Sequence, residues 1–522
     1  MTKKDYKIDS KENSDYMYNI IEKILKVAPR RGSCTKGEKK GANFLAKELK
    51  SFCNSVDVEK FGTYPRLSVY HWIPRSALLI SISTLLFVIF YSLNPLVISI
   101  ISTSILIFNL FLVYKHYLCA EIWFPKFFFL HKKKSSQNII GTIKPTGEIK
   151  KRLVFGAHID SAQRFNIAHY FREAYIYFIL GAILSIFTFL IVSITQLFFS
   201  VLSLFIVGLN TVMIATILNW IIIVLIPGSA IGILLLEIIS VSLDKKNRDK
   251  ILFGAISKLT RNNLILMILI ITYLITINII LFIPAFTNPT LLKTIGLLFF
   301  NNIHFLIGMG LFASNKAVPG AADNLTVCAV ISCIGKVLNN YKNSYPDLYP
   351  KNTEVILAMF GCEEVGSKGS LAFAQKHYKE YNKIDTSCIA MDTLGDSELI
   401  NIFSNEGSTR VKYHPEVYNL LDECSNELNI NHNIGAQPWI SGGTDGSGLV
   451  KGGLTKTAAF VGLKYSDYLY YYHTDRDNLD LVNKKRRPCN DHGTSWKDRN
   501  YRCAMENAVK ICIRYIRKKD SE

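Results

Sequence analysis

Two kinds of apolar run alternate along this chain. Short runs at 138–143, 153–157, 355–360, 388–391 and 458–461 have the length of buried strands, and amphipathic stretches at 371–381 and 501–516 separate or follow them. This pattern predicts an α/β architecture with a largely buried sheet. Long runs at 76–114, 174–243 and 264–313 are of another kind, since about 20 apolar residues suffice to cross a bilayer. The first is interrupted at Asn94 and Pro95 and reads as a hairpin of two spans; the third holds Pro284 and Pro289 in its middle and reads the same way. The middle run has room for two long or three short spans, with Pro227 and Gly228 as a kink or a turn.

The short runs carry the chemistry described below. If those residues form one site, every piece bearing them lies on one side of the membrane and each insert holds an even number of spans. About six spans follow. The loop 244–263 then falls on the site's side with Lys245, Lys246, Arg248, Lys250, Lys258 and Arg261, and an excess of basic residues marks the cytoplasmic face. The expectation is an integral membrane protein of the plasma membrane with its catalytic domain in the cytoplasm. Its parts are 1–72, 119–168 and 317–522 for the α/β domain, and 73–118 and 169–316 for inserts that form an all-α transmembrane helical domain.

Composition agrees with lipid contact: 49% of the 522 residues are hydrophobic and the mean hydropathy is +0.20. The net charge of +19 first suggests nucleic acid. The basic residues, however, gather at the edges of apolar runs, as in His131, Lys132, Lys133 and Lys134, which suits anionic lipid. No zinc-finger spacing and no basic stripe interleaved with aromatics accompany them, so no nucleic-acid partner is expected. The N-terminal 15 residues are polar and lack the apolar core of a secretory signal. Eleven cysteines lie scattered without CxxC spacing, and Cys362 directly precedes a glutamate pair, so reduced thiols are expected rather than a disulfide framework. Ionisable residues near the predicted spans are sparse, chiefly Glu237 and His304, which disfavours a transporter.

Metal-ligand residue types stand at the ends of the short runs. His158 and Asp160 follow LVFGA; Asp323 lies in a turn before an apolar helix; Glu363 and Glu364 follow VILAMFGC; Asp392 ends SCIAMD; His473 stands in YYYHTDRD. Each has a plainer reading taken singly: a core histidine, a helix N-cap, a solvated face, a turn residue. Open α/β sheets, however, bind ligands at the carboxyl ends of their strands, and His158, Glu363 and Asp392 all fall there. The i, i+2 spacing lets Asp160 steer His158. Asp323 has two oxygens and can bridge two ions, and one glutamate of the pair can ligate while the other acts as a general base. Two His, two Asp and two Glu suit a dinuclear zinc site. Trp439, Asp445 and Tyr472 lie in loops that either line a substrate pocket or serve only as loop residues. His169, His377, His414 and His432 have no comparable context.

In order, the motifs AHID, AADN, GCEE, AMD and YYHT resemble the M28 family of zinc-dependent exopeptidases, over residues 15–65, 136–165 and 317–518. The resemblance implies a mixed central sheet flanked by helices and two Zn2+ ions or other divalent metals. One ion would be held by His158 and Asp392, the second by Glu364 and His473, with Asp323 bridging. It further implies Glu363 as the catalytic base, a cis peptide after Asp323, and aminopeptidase action on peptides. A carboxypeptidase or a glutaminyl-cyclase-like acyl transferase would fit the same fold, and a non-catalytic scaffold would be expected to have lost ligands. The departure from the family is the spacing: 165 positions separate His158 from Asp323, where soluble members have a short loop.

Overall fold

A computed structural model describes residues 10–90, 95–113, 132–171, 312–395, 399–437, 442–463, 471–479 and 499–522, with a few isolated positions between 194 and 310. The chain divides into two compact units. Met1–Ser68, His116–Arg164 and Ser314–Glu522 form the first; Val69–Lys115 and Phe165–Ala313 form the second.

The strands are β1 (Ser55–Thr63), β2 (Lys134–Ile143), β3 (Lys151–His158), β4 (Gln163–Phe165), β5 (Ala313–Ala317), β6 (Thr353–Phe360), β7 (Asp385–Leu394), β8 (Ile400–Glu406), β9 (Val411–Lys412), β10 (His432–Gln437) and β11 (Thr457–Gly462). Nine of them make one sheet in the order β1-β2-β6-β3-β7-β11-β8-β10, with β9 beside β8; β4 pairs with β5 separately. The four central strands β6, β3, β7 and β11 run parallel, while β1, β2 and β8 pair antiparallel with their neighbours. Beyond its antiparallel pairing with β11 and β9, β8 pairs parallel with β10, so the sheet is mixed. Every residue of β6 and β11 is buried, as expected of parallel strands covered on both faces, which read as continuous apolar runs. β1 is the opposite case, an edge strand whose residues are mostly exposed or half-buried.

Register places the chemistry. His158, the last residue of β3, stands opposite Phe360, the last of β6, and Asp392 of β7 stands opposite Val461 of β11. Parallel strands in this register bring their carboxyl ends to one edge of the sheet.

The helices are α1 (Ser10–Val27), α2 (Lys36–Leu49), α3 (Val69–Phe90), α4 (Pro95–Val113), α5 (Asn166–Phe171), α6 (Thr326–Ser344), α7 (Lys368–Tyr381), α8 (Pro415–Glu427), α9 (Asp445–Lys451) and α10 (Arg499–Ser521). α1, α2, α6, α8 and α10 pack into one connected layer, and α7 packs on α9. One helix among the described residues is long and apolar enough to cross a membrane. It is Ala321–Ser344, and 94% of its apolar window is buried inside the protein. This is α6 with its leading turn, a core helix lying against β3, β6 and β7.

The second unit contains α3 and α4, which pack on each other with the hydroxyls of Ser83 and Ser102 hydrogen-bonded between them. Leu78, Ile82, Val97, Ile100, Ile101, Ile107 and Phe108 on this pair are exposed. The expectation of about six spans and an all-α transmembrane domain is not supported among the described residues, and the runs 174–243 and 264–313 lie almost wholly outside them.

Candidate metal centre

His158 ends β3, and its Nδ1 lies 3.1 Å from the Asp160 carbonyl oxygen. Its Nε2 is directed at three carboxylates: Asp323 Oδ1 at 3.2 Å, Asp392 Oδ1 at 3.7 Å and Glu363 Oε2 at 4.0 Å. Asp160, fully buried, stands behind the ring with Oδ1 at 3.6 Å from Nδ1. Its carboxylate accepts from Ser33 Oγ (2.6 Å) and from the backbone N–H groups of Glu363 (3.0 Å) and Glu364 (3.2 Å). One carboxylate thus orients the imidazole and fixes the loop that carries both glutamates.

Asp323 sits in a kinked turn, Ala321–Leu325, with φ −111° and ψ 89°. The Asp323–Asn324 peptide is cis. The turn is tied down from several sides. Asp477 accepts from the N–H groups of Ala322 (2.7 Å) and Asp323 (3.2 Å), Asn324 Nδ2 donates to the Met391 carbonyl (3.2 Å), and Thr326 Oγ1 accepts from the Leu394 N–H (3.1 Å). The buried Arg31 guanidinium donates to the carbonyls of Ala28, Ile159, Pro319 and Gly320, joining the turn to the segment after His158. So held, Asp323 presents Oδ1 to His158 and Oδ2 to His473 Nε2, 3.5 Å away. Glu364 Oε2 is also 3.5 Å from His473 Nε2. His473 lies in a short turn after β11, at φ 50°.

Burial governs the electrostatics. It pushes the Glu363 carboxyl well above the usual range, with Asp445, Glu364 and Asp392 adding to the rise against the pull of His158. Asp392 is raised by burial and by Asp323. Burial would raise Asp323 too, but hydrogen bonds with His158 and His473 hold it below the ordinary carboxylate value. Burial would lower His158, yet Asp160, Asp323 and Asp392 keep its imidazole protonated well above the usual range. So many carboxylates gathered out of water around two imidazoles call for positive charge. Divalent ions satisfy that need. The buried His158 Nε2 atom, directed at Asp323, Asp392 and Glu363, can give its lone pair to a metal once its proton is displaced, and His158, Asp323 and Glu364 present ligand atoms within 4.8 Å of one another. The donor set of imidazole and carboxylate fits zinc.

The structure thus brings His158, Asp160, Asp323, Glu363, Glu364, Asp392 and His473 together. Of the substrate-pocket candidates, Tyr472 stacks on His473 with ring centroids 3.8 Å apart. Asp445 opens α9 at 2% exposure; burial, together with Asp160 and Asp392, raises its carboxyl to about 7 against His158 and Ser370. Trp439 lies outside the described residues. Sequence reasoning missed Arg31, Ser33 and Asp477. Asp477 left a trace, as a second acidic residue four positions after His473, whereas Arg31 and Ser33 sit far from any motif.

Residues 308–488 match the model of peptidase family M28. The match covers Asp323, Glu363, Glu364, Asp392 and His473, and it supports a zinc metallopeptidase hydrolase in this part of the chain. A search of curated proteins finds no match. Among solved structures, the chain is similar to the LapA aminopeptidase of Legionella pneumophila at 10% identity and a TM-score of 0.42, with 98% of this chain and 74% of that one covered. For the aminopeptidase of Aneurinibacillus sp. strain AM-1 the figures are 11%, 0.44, 98% and 94%. For the glutaminyl cyclase of Porphyromonas gingivalis they are 9%, 0.43, 97% and 98%.

Proposed function

We propose that this chain is a dinuclear zinc exopeptidase, an aminopeptidase that removes N-terminal residues from peptides. The observation that carries the reading is the placement of Asp323, whose two oxygens face the Nε2 atoms of two different histidines at 3.2 and 3.5 Å. His158 and Asp392 would hold one ion, Glu364 and His473 the other, and Asp323 both. When bound, zinc supplies Lewis acidity that polarises the scissile carbonyl and makes water more acidic.

The chain's own groups do the rest. Glu363 Oε1 accepts from Ser367 Oγ at 3.0 Å, which fixes the carboxylate. Its burial-raised pKa suits a base that takes the proton of the attacking water and gives it to the leaving amine. Asp160 keeps the His158 ring in place from behind. Asp445 and Tyr472 are the candidates for gripping a substrate's first residue, and what supports Tyr472 is its ring lying against His473.

The same reading keeps the inserts 73–118 and 169–316 as the membrane-bound part, with lipid as a partner. What supports it is the α3–α4 pair, two apolar helices that expose Leu78, Ile100, Ile107 and Phe108. An impermeant thiol reagent on a cysteine placed at exposed Glu148 should label only broken cells; labelling of intact cells contradicts a cytoplasmic site.

The activity is tested on purified protein with fluorogenic aminoacyl substrates and with N-terminally and C-terminally blocked peptides, with and without chelator. Cleavage should require a free N-terminus, vanish with chelator and return with zinc. Cleavage that persists in chelator sinks the metallopeptidase reading, and cyclisation of an N-terminal glutamine without peptide-bond cleavage replaces it with the acyl transferase.

A further inference from the structure

Next to the residues that hold Asp160 lie two thiols that peptide hydrolysis does not use. Cys34 stands in the turn before α2 and Cys362 between β6 and Glu363, 328 positions apart, with their sulfurs 3.3 Å from each other. Both have positive φ, 59° and 58°, in the region that side-chain-bearing residues seldom occupy. The buried Glu38 carboxylate holds the two backbones together: it accepts from the N–H of Cys34 (2.8 Å), the N–H of Cys362 (3.0 Å) and Ser136 Oγ (2.9 Å). There is little slack beside Cys362, because a Cβ added at Gly361 would clash with Ser136 Oγ and the Gln137 carbonyl. Cys34 is half-buried and Cys362 fully buried, so reagents reach the pair from the Cys34 side.

We propose that Cys34 and Cys362 are a reversible redox pair whose oxidation to a disulfide disturbs the seat of His158. Cys34, Glu38 and Cys362 also lie at metal-ligand spacing. Both Glu38 oxygens, however, are already taken up by the donors just named, which favours sulfur–sulfur chemistry over a metal. With hydrogen peroxide as oxidant, the Cys34 sulfur attacks, the O–O bond breaks, and a sulfenic acid and one water result. The Cys362 sulfur then displaces the sulfenic hydroxyl: the S–S bond forms, the S–O bond breaks, and the thiol proton leaves with a second water. Two thiols lose two electrons and two protons, and a dithiol reductant reverses the change.

A disulfide bond of about 2.05 Å requires the sulfurs to close by more than an ångström. The neighbours of both cysteines grip one carboxylate: Ser33 beside Cys34, and the Glu363 and Glu364 N–H groups beside Cys362, all donate to Asp160. Drawing the two loops together therefore distorts the support of His158.

The chemical part of this inference is independent of the proposed peptidase activity; only its effect on rate rests on that reading. The full-length, zinc-loaded protein is treated with peroxide, its remaining thiols are alkylated, and it is digested without reductant. The expected product is a cross-linked peptide pair containing Cys34 and Cys362. Peptide hydrolysis should fall by about tenfold or more, the usual effect of disturbing a ligand's support, and return with dithiothreitol. Cys34→Ser and Cys34→Ala should both escape inhibition. Should the cross-link form while no substrate is cleaved in either state, the redox pair stands and the functional reading fails. Two results overturn the proposal: Cys34 driven to sulfonic acid with Cys362 still alkylatable, or equal inhibition of the Cys34 variants.

Discussion

His158 and His473 face opposite oxygens of one carboxylate, yet they are held in different ways. His158 closes a buried parallel strand, is 1% exposed, and is backed by a carboxylate that itself accepts three hydrogen bonds. His473 lies in a turn at positive φ, is 8% exposed, and carries the Tyr472 ring against its own. Sheet register fixes the first imidazole, and loop conformation fixes the second. A ligand set by register is preorganised and costs little ordering when an ion arrives, so the His158 half should bind zinc more tightly and release it last.

The largest expected effect leaves both halves intact. Glu363→Gln should lower the rate of peptide hydrolysis by about 10²- to 10⁴-fold while the zinc content of the purified protein stays unchanged. Loss of metal together with activity would mean that Glu363 is a ligand, and the division of labour between the two glutamates would be wrong.

That division rests on positions that could be read before the fold was known. β3, β6, β7 and β11 were legible as short apolar runs because parallel strands buried on both faces leave no polar alternation, and His158, Glu363, Glu364 and Asp392 stand at or just after the carboxyl ends of the first three. β1 and β10 were not legible: SVDVEKFGT is an exposed edge strand, and HNIGAQ has one large apolar residue. They form because neighbouring strands offer them partners, β2 and β8. α6 shows the limit of hydropathy in the other direction, since its composition would suit a lipid span while its faces are covered by sheet and helices. Arg31 and Asp477 escaped notice because a residue that supports another through backbone contacts has no spacing signature of its own.

Asp160→Asn strikes the His158 half most directly and reaches the other half only through the Glu364 N–H. It keeps the shape of the side chain but weakens the acceptor that orients the ring, and it should weaken zinc binding there by about 10- to 100-fold. Competition against a chromophoric chelator measures this. An equal loss at both ions would show that the halves are not separately built.

The pH response tests the His158 half further. Burial pulls the His158 pKa down, but Asp160, Asp323 and Asp392 hold it well above its usual value, so an arriving ion must displace a proton. Apparent zinc affinity should therefore rise with pH, by up to about tenfold per unit for each proton displaced, until pH passes the raised value. In the metal-free protein the same shift stabilises the fold fully below about pH 6.5 and is lost as pH rises through the folded-state value. Chelator competition at a series of pH values, and thermal unfolding of the stripped protein, read the two effects.

Tyr472→Leu should have the smallest effect. It removes only the ring stacked on His473, a contact worth about 0.5–1.5 kcal/mol, and should show in the weaker of two zinc-binding steps while leaving the tighter one alone. A shift in the tighter step would reverse the assignment of the two halves.

Diffraction from zinc-loaded crystals, with anomalous data collected on both sides of the zinc absorption edge, tests the central claim most directly. The account predicts two peaks about 3.5–4 Å apart, one beside His158 and Asp392 and one beside Glu364 and His473, with an Asp323 oxygen on each. A single peak, or peaks that leave Asp323 uncoordinated, would contradict it.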